Sequence, residues 1–311
     1  MAPSGACTVR TLATRIGRAV PVEFEGAVRA VWRRACAIAP DPATRAEWGV
    51  ALVTLVREDV PMTAASVELQ VGAAFDFAAS GIRAGDRVRC DGSTIVVRPA
   101  RSNEPIEADL RGAVFYDGFV PEMPRPVDPS LLEPLAVAAR RHRSAMCGGS
   151  VLGVTSSDAC DVLLRRLSLS ASAGDDLAAE RAARSLLGLG PGLTPSGDDA
   201  LCGFMLGRRL SGGGVGATDA ALKRVASGAA RLTSEVSAVQ LELAARERFG
   251  EALLDVAAAL YAGYAPLVSA AVARCLAEGA TSGADGLLGL AAGVRTRGPL
   301  CAGAGVSLRS H

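Results

Sequence analysis

Val120-Pro-Glu-Met-Pro-Arg-Pro-Val-Asp-Pro129 divides the chain into two textures. Pro121, Pro124, Pro126 and Pro129 are spaced so that neither a helix nor a central strand runs through them, because each proline lacks the N–H that both elements need. Upstream, short β-like runs alternate with turn signals. Downstream, apolar residues recur at helical spacing. The reading is an α+β protein: an N-terminal antiparallel β domain, barrel-like or sandwich-like, over residues 1–125, then a mainly α-helical domain over residues 126–311.

Working back from the prolines, candidate strands cover Val28–Ile38, Gly49–Arg57, Ser66–Val71, Arg87–Cys90, Thr94–Val97 and Ala113–Tyr116. Asp91-Gly92 lies between two β-branched runs and predicts a tight hairpin. Pro40-Asp41-Pro42 predicts a turn, and Ala73–Ser80 a short helix. Working forward, helical spacing covers Leu131–His142, Ala178–Leu187, and about 199–210, 217–232, 235–248, 250–262, 265–278 and 283–294. Asp175 and Asp176 stand where the helix dipole favours acids. Gly-rich joints punctuate this half, among them Met146–Ser150 and Ser211–Gly216.

A length of 311 residues suits about two domains, and 50% hydrophobic residues supply a sizeable core. The net charge of +1 and 4% aromatics exclude a dedicated nucleic-acid binder, which needs a basic excess or stacking platforms. The first residues carry no apolar run and so do not read as a signal peptide. The longest apolar run, 252–278, is broken by Asp255, Gly263, Pro266 and Arg274, so no membrane span is expected. These features predict a soluble, cytoplasmic protein. Cys7, Cys36, Cys90, Cys147, Cys160, Cys202, Cys275 and Cys301 form no CxxC pair and read as small hydrophobes in a reducing compartment.

The densest chemistry lies at Gly188-Leu-Gly-Pro-Gly-Leu-Thr-Pro-Ser-Gly-Asp-Asp199. Gly188, Gly190, Gly192 and Gly197 permit close backbone approach, while Pro191 and Pro195 stiffen the loop. Thr194 could cap the following helix with Pro195 at its first position; alternatively Ser196 caps it, with Asp199 completing a capping box. Free N–H groups at such a start attract small anions. Asp198 and Asp199 would repel a bare phosphate; they suit a hard cation such as Mg2+ accompanying phosphate, or the N–H groups of a substrate amide. No lysine follows the last glycine, so this is not a P-loop, and no GxGxxG opens a βαβ unit here.

Ser282-Gly-Ala-Asp-Gly-Leu-Leu-Gly289 echoes Ser196-Gly-Asp-Asp-Ala-Leu-Cys-Gly203; both read S-G-x-D-x-L-x-G. Two helix starts of one kind can point into one site or simply repeat a capping device. Arg231-Leu-Thr-Ser-Glu-Val-Ser237 places three hydroxyls and an acid before a helix, although a cap needs one hydroxyl. The candidates are therefore Asp198 and Asp199 as catalytic acids, with Gly190, Gly192, Thr194, Ser196, Gly197, Thr233, Ser234, Ser282, Gly283 and Asp285 contacting substrate. Glu235 is a further acid. His142 and His311 are the only histidines, so neither a histidine metal cluster nor a Ser-His-Asp triad can be built. The run Arg140-Arg141-His142-Arg143 reads as a solvated face or as an electropositive contribution to anion capture.

The 188–199 block resembles the signature of the AllH-type subunit of oxamate carbamoyltransferase. Thr233-Ser-Glu-Val-Ser237 and Gly279-Ala-Thr-Ser-Gly-Ala-Asp285 are similar to two further blocks of that family, and the order holds over most of residues 140–300. The resemblance implies a subunit of a multi-subunit enzyme of anaerobic allantoin breakdown. That enzyme moves a carbamoyl group between oxalurate and phosphate, giving oxamate and carbamoyl phosphate. The implied partners are an FdrA-type subunit, similar to acyl-CoA synthetases, and a second dedicated subunit. Activity is then expected only with those partners. Two other readings are a regulatory module that binds a small anion or nucleotide without catalysis, and a structural subunit of a metabolic complex.

Overall fold

The structure is a computed structural model and describes residues 9–101, 105–120, 126–147, 156–212 and 216–296. The chain divides into two compact units, 1–119 with 248–252 and 120–247 with 253–311.

The first unit is a closed barrel. Its strands are β1 (Val9–Gly17), β2 (Glu23–Val31), β3 (Ala35–Pro40), β4 (Val53–Arg57), β5 (Ser66–Leu69), β6 (Arg87–Asp91), β7 (Thr94–Arg98), β8 (Ile106–Asp109) and β9 (Val114–Tyr116). They pair in the order β5-β4-β3-β2-β6-β7-β8-β1, and β1 closes the ring on β5. Closure leaves these strands without a free edge. The β1 strand reaches three partners. Val9–Leu12 runs parallel to β8, Arg15–Gly17 runs parallel to β9, and its other edge is antiparallel to β5. With the parallel β4–β5 pair, three pairings are parallel and six antiparallel, so the sheet is mixed where an antiparallel one was expected. Local hairpin signals can announce only antiparallel neighbours; these parallel pairs join strands that no tight turn connects.

The expected elements shift for visible reasons. Val28–Ile38 is two strands, because Trp32 N donates to Ala35 O at 2.8 Å and folds a tight turn. The β4 strand starts at Val53, since the residues before it belong to helix α1 (Pro42–Trp48) and its cap. Asp41 caps that helix at one end, and Gly49 closes it with φ +65° at the other. Ala73–Ser80 is not helical; Asp76 accepts from Ala78 N and Ala79 N in a turn that buries Phe77. The Asp91-Gly92 hairpin forms as read, with Asp91 accepting from Ser93 N and Thr94 N. Strands β1 and β8 and helix α1 were not anticipated.

The second unit holds α2 (Leu132–Cys147), α3 (Ser156–Ala173), α4 (Asp176–Leu186), α5 (Ser196–Leu210), α6 (Ala217–Ser227), α7 (Glu235–Ala245), α8 (Glu251–Ala262, from Leu253 onward), α9 (Ala265–Leu276) and α10 (Ser282–Arg295). Helix α3 was not anticipated. The expected 217–232 helix ends at Ser227, with a 3-10 turn over Ala229–Arg231 beyond it. Helices α5 and α10 are buried along nearly their whole lengths and pack on each other through glycine. A Cβ on Gly203 would lie 1.9 Å from Gly286 O, and one on Gly289 would lie 1.9 Å from Ala200 O. Gly207 and Gly293 repeat the contact further along. Side chains set how closely two helices approach, and here there are none at the crossing. Arg208 and Asp219, both buried and paired at 2.7 Å, close the far end of α5. No described helix is long and apolar enough to cross a membrane.

Candidate functional site

The Gly/Pro loop turns back on the helix that follows it. Leu189 N donates to Leu186 O, and Gly197 N donates to Leu189 O at 2.9 Å. Gly190, at φ +117°, makes this possible: a Cβ there would lie 2.9 Å from Ser196 N. Gly192 also has positive φ but faces open space. The cap of α5 is Pro195, without a side-chain hydrogen bond, so neither capping scheme read from Thr194 or Ser196 is used. Asp198 N and Asp199 N both donate to Pro195 O. Gly197 N and Asp198 N, which a helix start commonly leaves open, are thus bonded within the chain, so this start offers fewer open N–H groups than the sequence reading supposed. At the start of α10, Gly283 N donates to Glu278 O at 3.4 Å, and Asp285 N makes the first regular helical bond to Thr281 O.

Asp198 and Asp199 have separate surroundings. Asp198 accepts from Gly188 N at 2.9 Å with one oxygen and from the Thr233 hydroxyl with the other. Ser234 caps α7 through Ser237 N and donates to Leu193 O. The Thr233-Ser234 block thus fastens the loop, and Asp198 is its clasp. Asp199 instead faces the hydroxyls of Ser282 and Thr194. Thr194 Oγ1 and Ser282 Oγ lie 2.5 Å apart. In return Asp285, at the start of α10, faces the hydroxyl of Ser196 at the start of α5. The two S-G-x-D copies therefore converge and exchange partners, each carboxyl meeting the serine of the other copy. Asp199 Oδ2 and Asp285 Oδ2 are buried and have no hydrogen-bond partner. Thr194 and Ser282 are half-buried, while Asp199 and Asp285 are 8% and 0% exposed.

The glycine after each serine serves packing. A Cβ on Gly197 would lie 2.0 Å from Leu186 O, and one on Gly283 would lie 1.8 Å from Cys275 O. What approaches these glycines is the carbonyl ending the previous helix, whereas the sequence reading assigned the space to a ligand.

Burial dominates the electrostatics. It raises Asp199 well above the ordinary aspartate range, and the charges of Asp285 and Asp198 act the same way against the lowering by Ser282 and Thr194. Burial also raises Asp285 and Asp198, opposed at Asp285 by Ser196 and Arg143 and at Asp198 by Thr233 and Gly188 N. Arg143 donates to Asp285 Oδ1 at 3.1 Å and to Asp161 Oδ2 at 2.6 Å. From sequence Arg143 was read only as one member of a basic run, a solvated face or a contribution to anion capture, and Asp161 was not singled out. A signal existed for Arg143. Leu132, Ala136, Ala139 and Arg143 are all buried and follow helical spacing, so Arg143 belongs to the inner stripe of α2, while Arg140 and Arg141 are exposed. His142 meets the carbonyl of Ala280.

The acids do not fit Mg2+. Both oxygens of Asp198 are engaged, Asp285 is paired with a guanidinium, and no described group of three or more His, Cys, Asp or Glu is arranged to hold a metal ion. Cys36, Cys90, Cys160, Cys202 and Cys275 are buried free thiols. The joints at 148–150 and 213–215, Cys7, Cys301 and His311 lie outside the described residues, as does the side chain of Cys147. A separate groove of about 400 Å³ runs between α2, α3 and the later part of α10, lined by Ala136, Leu164, Leu288 and Ala291 with Arg140 and Arg165. It touches the site only through Asp161.

A family model described as oxamate carbamoyltransferase subunit AllH matches residues 186–294. The match spans the end of α4 to nearly the end of α10 and includes all three sequence blocks, so the resemblance is supported over that stretch. No curated protein and no solved structure matches the chain.

Proposed function

We propose that this chain is a subunit of an oxamate carbamoyltransferase and that the crossed helix starts hold the ureido end of oxalurate. The observation carrying this reading is the pair of buried, unpartnered carboxyl oxygens, Asp199 Oδ2 and Asp285 Oδ2, with the half-buried hydroxyls of Thr194 and Ser282 facing Asp199. Carboxyls and hydroxyls match a group rich in N–H donors. They match a bare phosphate poorly, because two buried acids, with Asp198 beside them, face the charge it would bring. A purely anion-binding regulatory module is disfavoured for the same reason.

In the reaction, a phosphate oxygen attacks the carbamoyl carbon of oxalurate, and the bond from that carbon to the inner nitrogen breaks. The departing nitrogen takes up a proton and leaves as the amide of oxamate; monohydrogen phosphate loses one. Asp199, kept protonated by burial, is placed to donate that proton and recover one from phosphate, so it ends unchanged. Phosphate has no evident cradle in this cluster, and we assign its capture to a partner subunit, in keeping with an FdrA-type chain and a second dedicated chain. Asp198, Thr233 and Ser234 hold the loop in shape.

Calorimetric titration tests the reading. Oxalurate is expected to bind the isolated chain weakly and inorganic phosphate not detectably. Asp199→Asn should lower oxalurate affinity at least about tenfold, because its amide turns N–H donors toward the ligand's own N–H groups and leaves a buried donor unsatisfied. Asp198→Asn should lower stability by about 1–2 kcal/mol with little change in affinity once folded. Phosphate binding that is stronger than oxalurate binding, or an unchanged affinity in Asp199→Asn, would overturn it.

A further inference from the structure

The two carboxyls of the crossed pair differ by one cation. Arg143 is 7% exposed and is spent entirely on two acids, Asp285 beside the cluster and Asp161 toward solvent. The other titratable groups facing the pair are Asp198 and Cys202 on α5, Cys160 on α3, and Cys275 on α9, with Glu278 and Asp255 beyond Cys275. Burial pushes these thiols up, Cys160 to about 12, so they stay neutral. His142 is turned to the Ala280 carbonyl. Arg143 is thus the one permanent cation among the described groups around two buried carboxyls.

We propose that Arg143 is a positioning residue: by holding Asp285 in an ion pair it makes Asp285 the ionised member and leaves Asp199, with its unpartnered Oδ2, as the proton-bearing member presented to the ligand. The inference rests on the ureido site proposed above. Two carboxyls sharing one buried site do not both ionise, and a guanidinium within hydrogen-bond reach decides which one does. The geometry is one-sided. Arg143 reaches Asp285 at 3.1 Å and is engaged by Asp161 on its other arm, while Asp199 meets only hydroxyls and a second set of acids. The pseudo-repeat supplies two equal carboxyls, and α2 removes the equality.

The test is a carbon-13 NMR titration of the aspartate side-chain carboxyls in the full chain, with oxalurate titration as the second reading. In the unaltered protein Asp285 is expected to ionise at lower pH than Asp199. In Arg143→Met the order should reverse or collapse, the Asp199 midpoint falling by about one pH unit or more, and oxalurate affinity should fall at least about tenfold. Arg143→Lys, which keeps the charge, should restore the order and most of the affinity. If Arg143→Met does not fold, Asp161→Asn carries the test: it frees Arg143 for Asp285 alone and should widen the gap between the two midpoints. An unchanged order in Arg143→Met, or an unchanged gap in Asp161→Asn, overturns the proposal. A clear division of charge without any binding of oxalurate would overturn the ureido reading and leave the role of Arg143 in the pair standing.

Discussion

The start of α5 and the start of α10 carry the same serine, glycine and aspartate, and each glycine lies against a carbonyl of the preceding helix. Yet Asp285 has a guanidinium and Asp199 has none. The backbone half of the pattern is therefore structural, because it recurs wherever this helix start is built. The charge half is not set by the pattern at all; it comes from α2 and α3, which lie outside the repeated segments. Equal local sequence gave equal geometry, and the difference that bears on chemistry arrived from elsewhere in the fold. Breaking the shared half should damage both copies alike, and breaking the unshared half should damage one.

The largest effect belongs to the shared half. Gly197→Ala and Gly283→Ala each place a Cβ about 2 Å or less from a backbone oxygen, which no rotamer change relieves. Each should cost about 3 kcal/mol, the upper range for overpacking. Gly192→Ala, with positive φ but open space, should cost only about 1 kcal/mol through backbone strain. Urea unfolding of the three variants measures this directly. Near-equal values for Gly197 and Gly192 would show that the packing contact has been misjudged.

The sequence carried the α+β division because it rests on periodicity and on prolines, both local. It carried the barrel incompletely. Closure of β1 on β5 and the parallel pairs involving β1 join residues more than fifty positions apart, for instance Ala13 with Leu69. The echo of 196–203 in 282–289 was legible, and so was the convergence of two helix starts. What the glycines are for was not, because a glycine that admits a ligand and one that admits a carbonyl look identical in one dimension. Arg143 was hidden by its neighbours: three exposed or half-exposed residues precede it, and only counting back to Leu132, Ala136 and Ala139 shows that it points inward. Asp161 lay in α3, where Cys160, Leu164, Leu167 and Ala171 mark a buried stripe that the reading passed over.

The next effect separates the two copies through pH. Burial holds Asp199 well above the value an aspartate has in an unfolded chain, so the folded state binds this proton more tightly. Its contribution to stability is complete at acid pH, below the unfolded-state value, and is lost as pH rises toward and through the folded-state value. One such proton gives a slope of up to about 1.4 kcal/mol per pH unit. Asp199→Asn removes the titration and should flatten the stability profile on the alkaline side of the ordinary aspartate range. Asp285→Asn should flatten it less, since Arg143 opposes the effect of burial there, and should lower stability by leaving the buried guanidinium with Asp161 as its one remaining acid. Melting curves at several pH values read both. An Asp199→Asn profile as steep as that of the unaltered chain would mean Asp199 is ionised in the fold.

The smallest effect tests the exchange of hydroxyls itself. Ser196 faces Asp285, which keeps Arg143 when the hydroxyl is removed. Ser282 faces Asp199 and also pairs with Thr194 Oγ1, so its removal leaves a buried carboxyl and a hydroxyl short of a partner together. A hydrogen bond lost with compensation costs about 0.5–1 kcal/mol, and one that strands a buried group costs about 1–2 kcal/mol. Ser282→Ala should therefore destabilise more than Ser196→Ala, even though the two serines hold equivalent places in the repeat. A double-mutant cycle sharpens the point. Ser282→Ala should couple to Asp199→Asn by more than about 0.5 kcal/mol, and Ser196→Ala should be additive with Asp199→Asn to within about that figure. If the coupling instead ran within each copy, Ser196 with Asp199 and Ser282 with Asp285, the two helix starts would be self-contained caps and the crossed arrangement would not exist in solution.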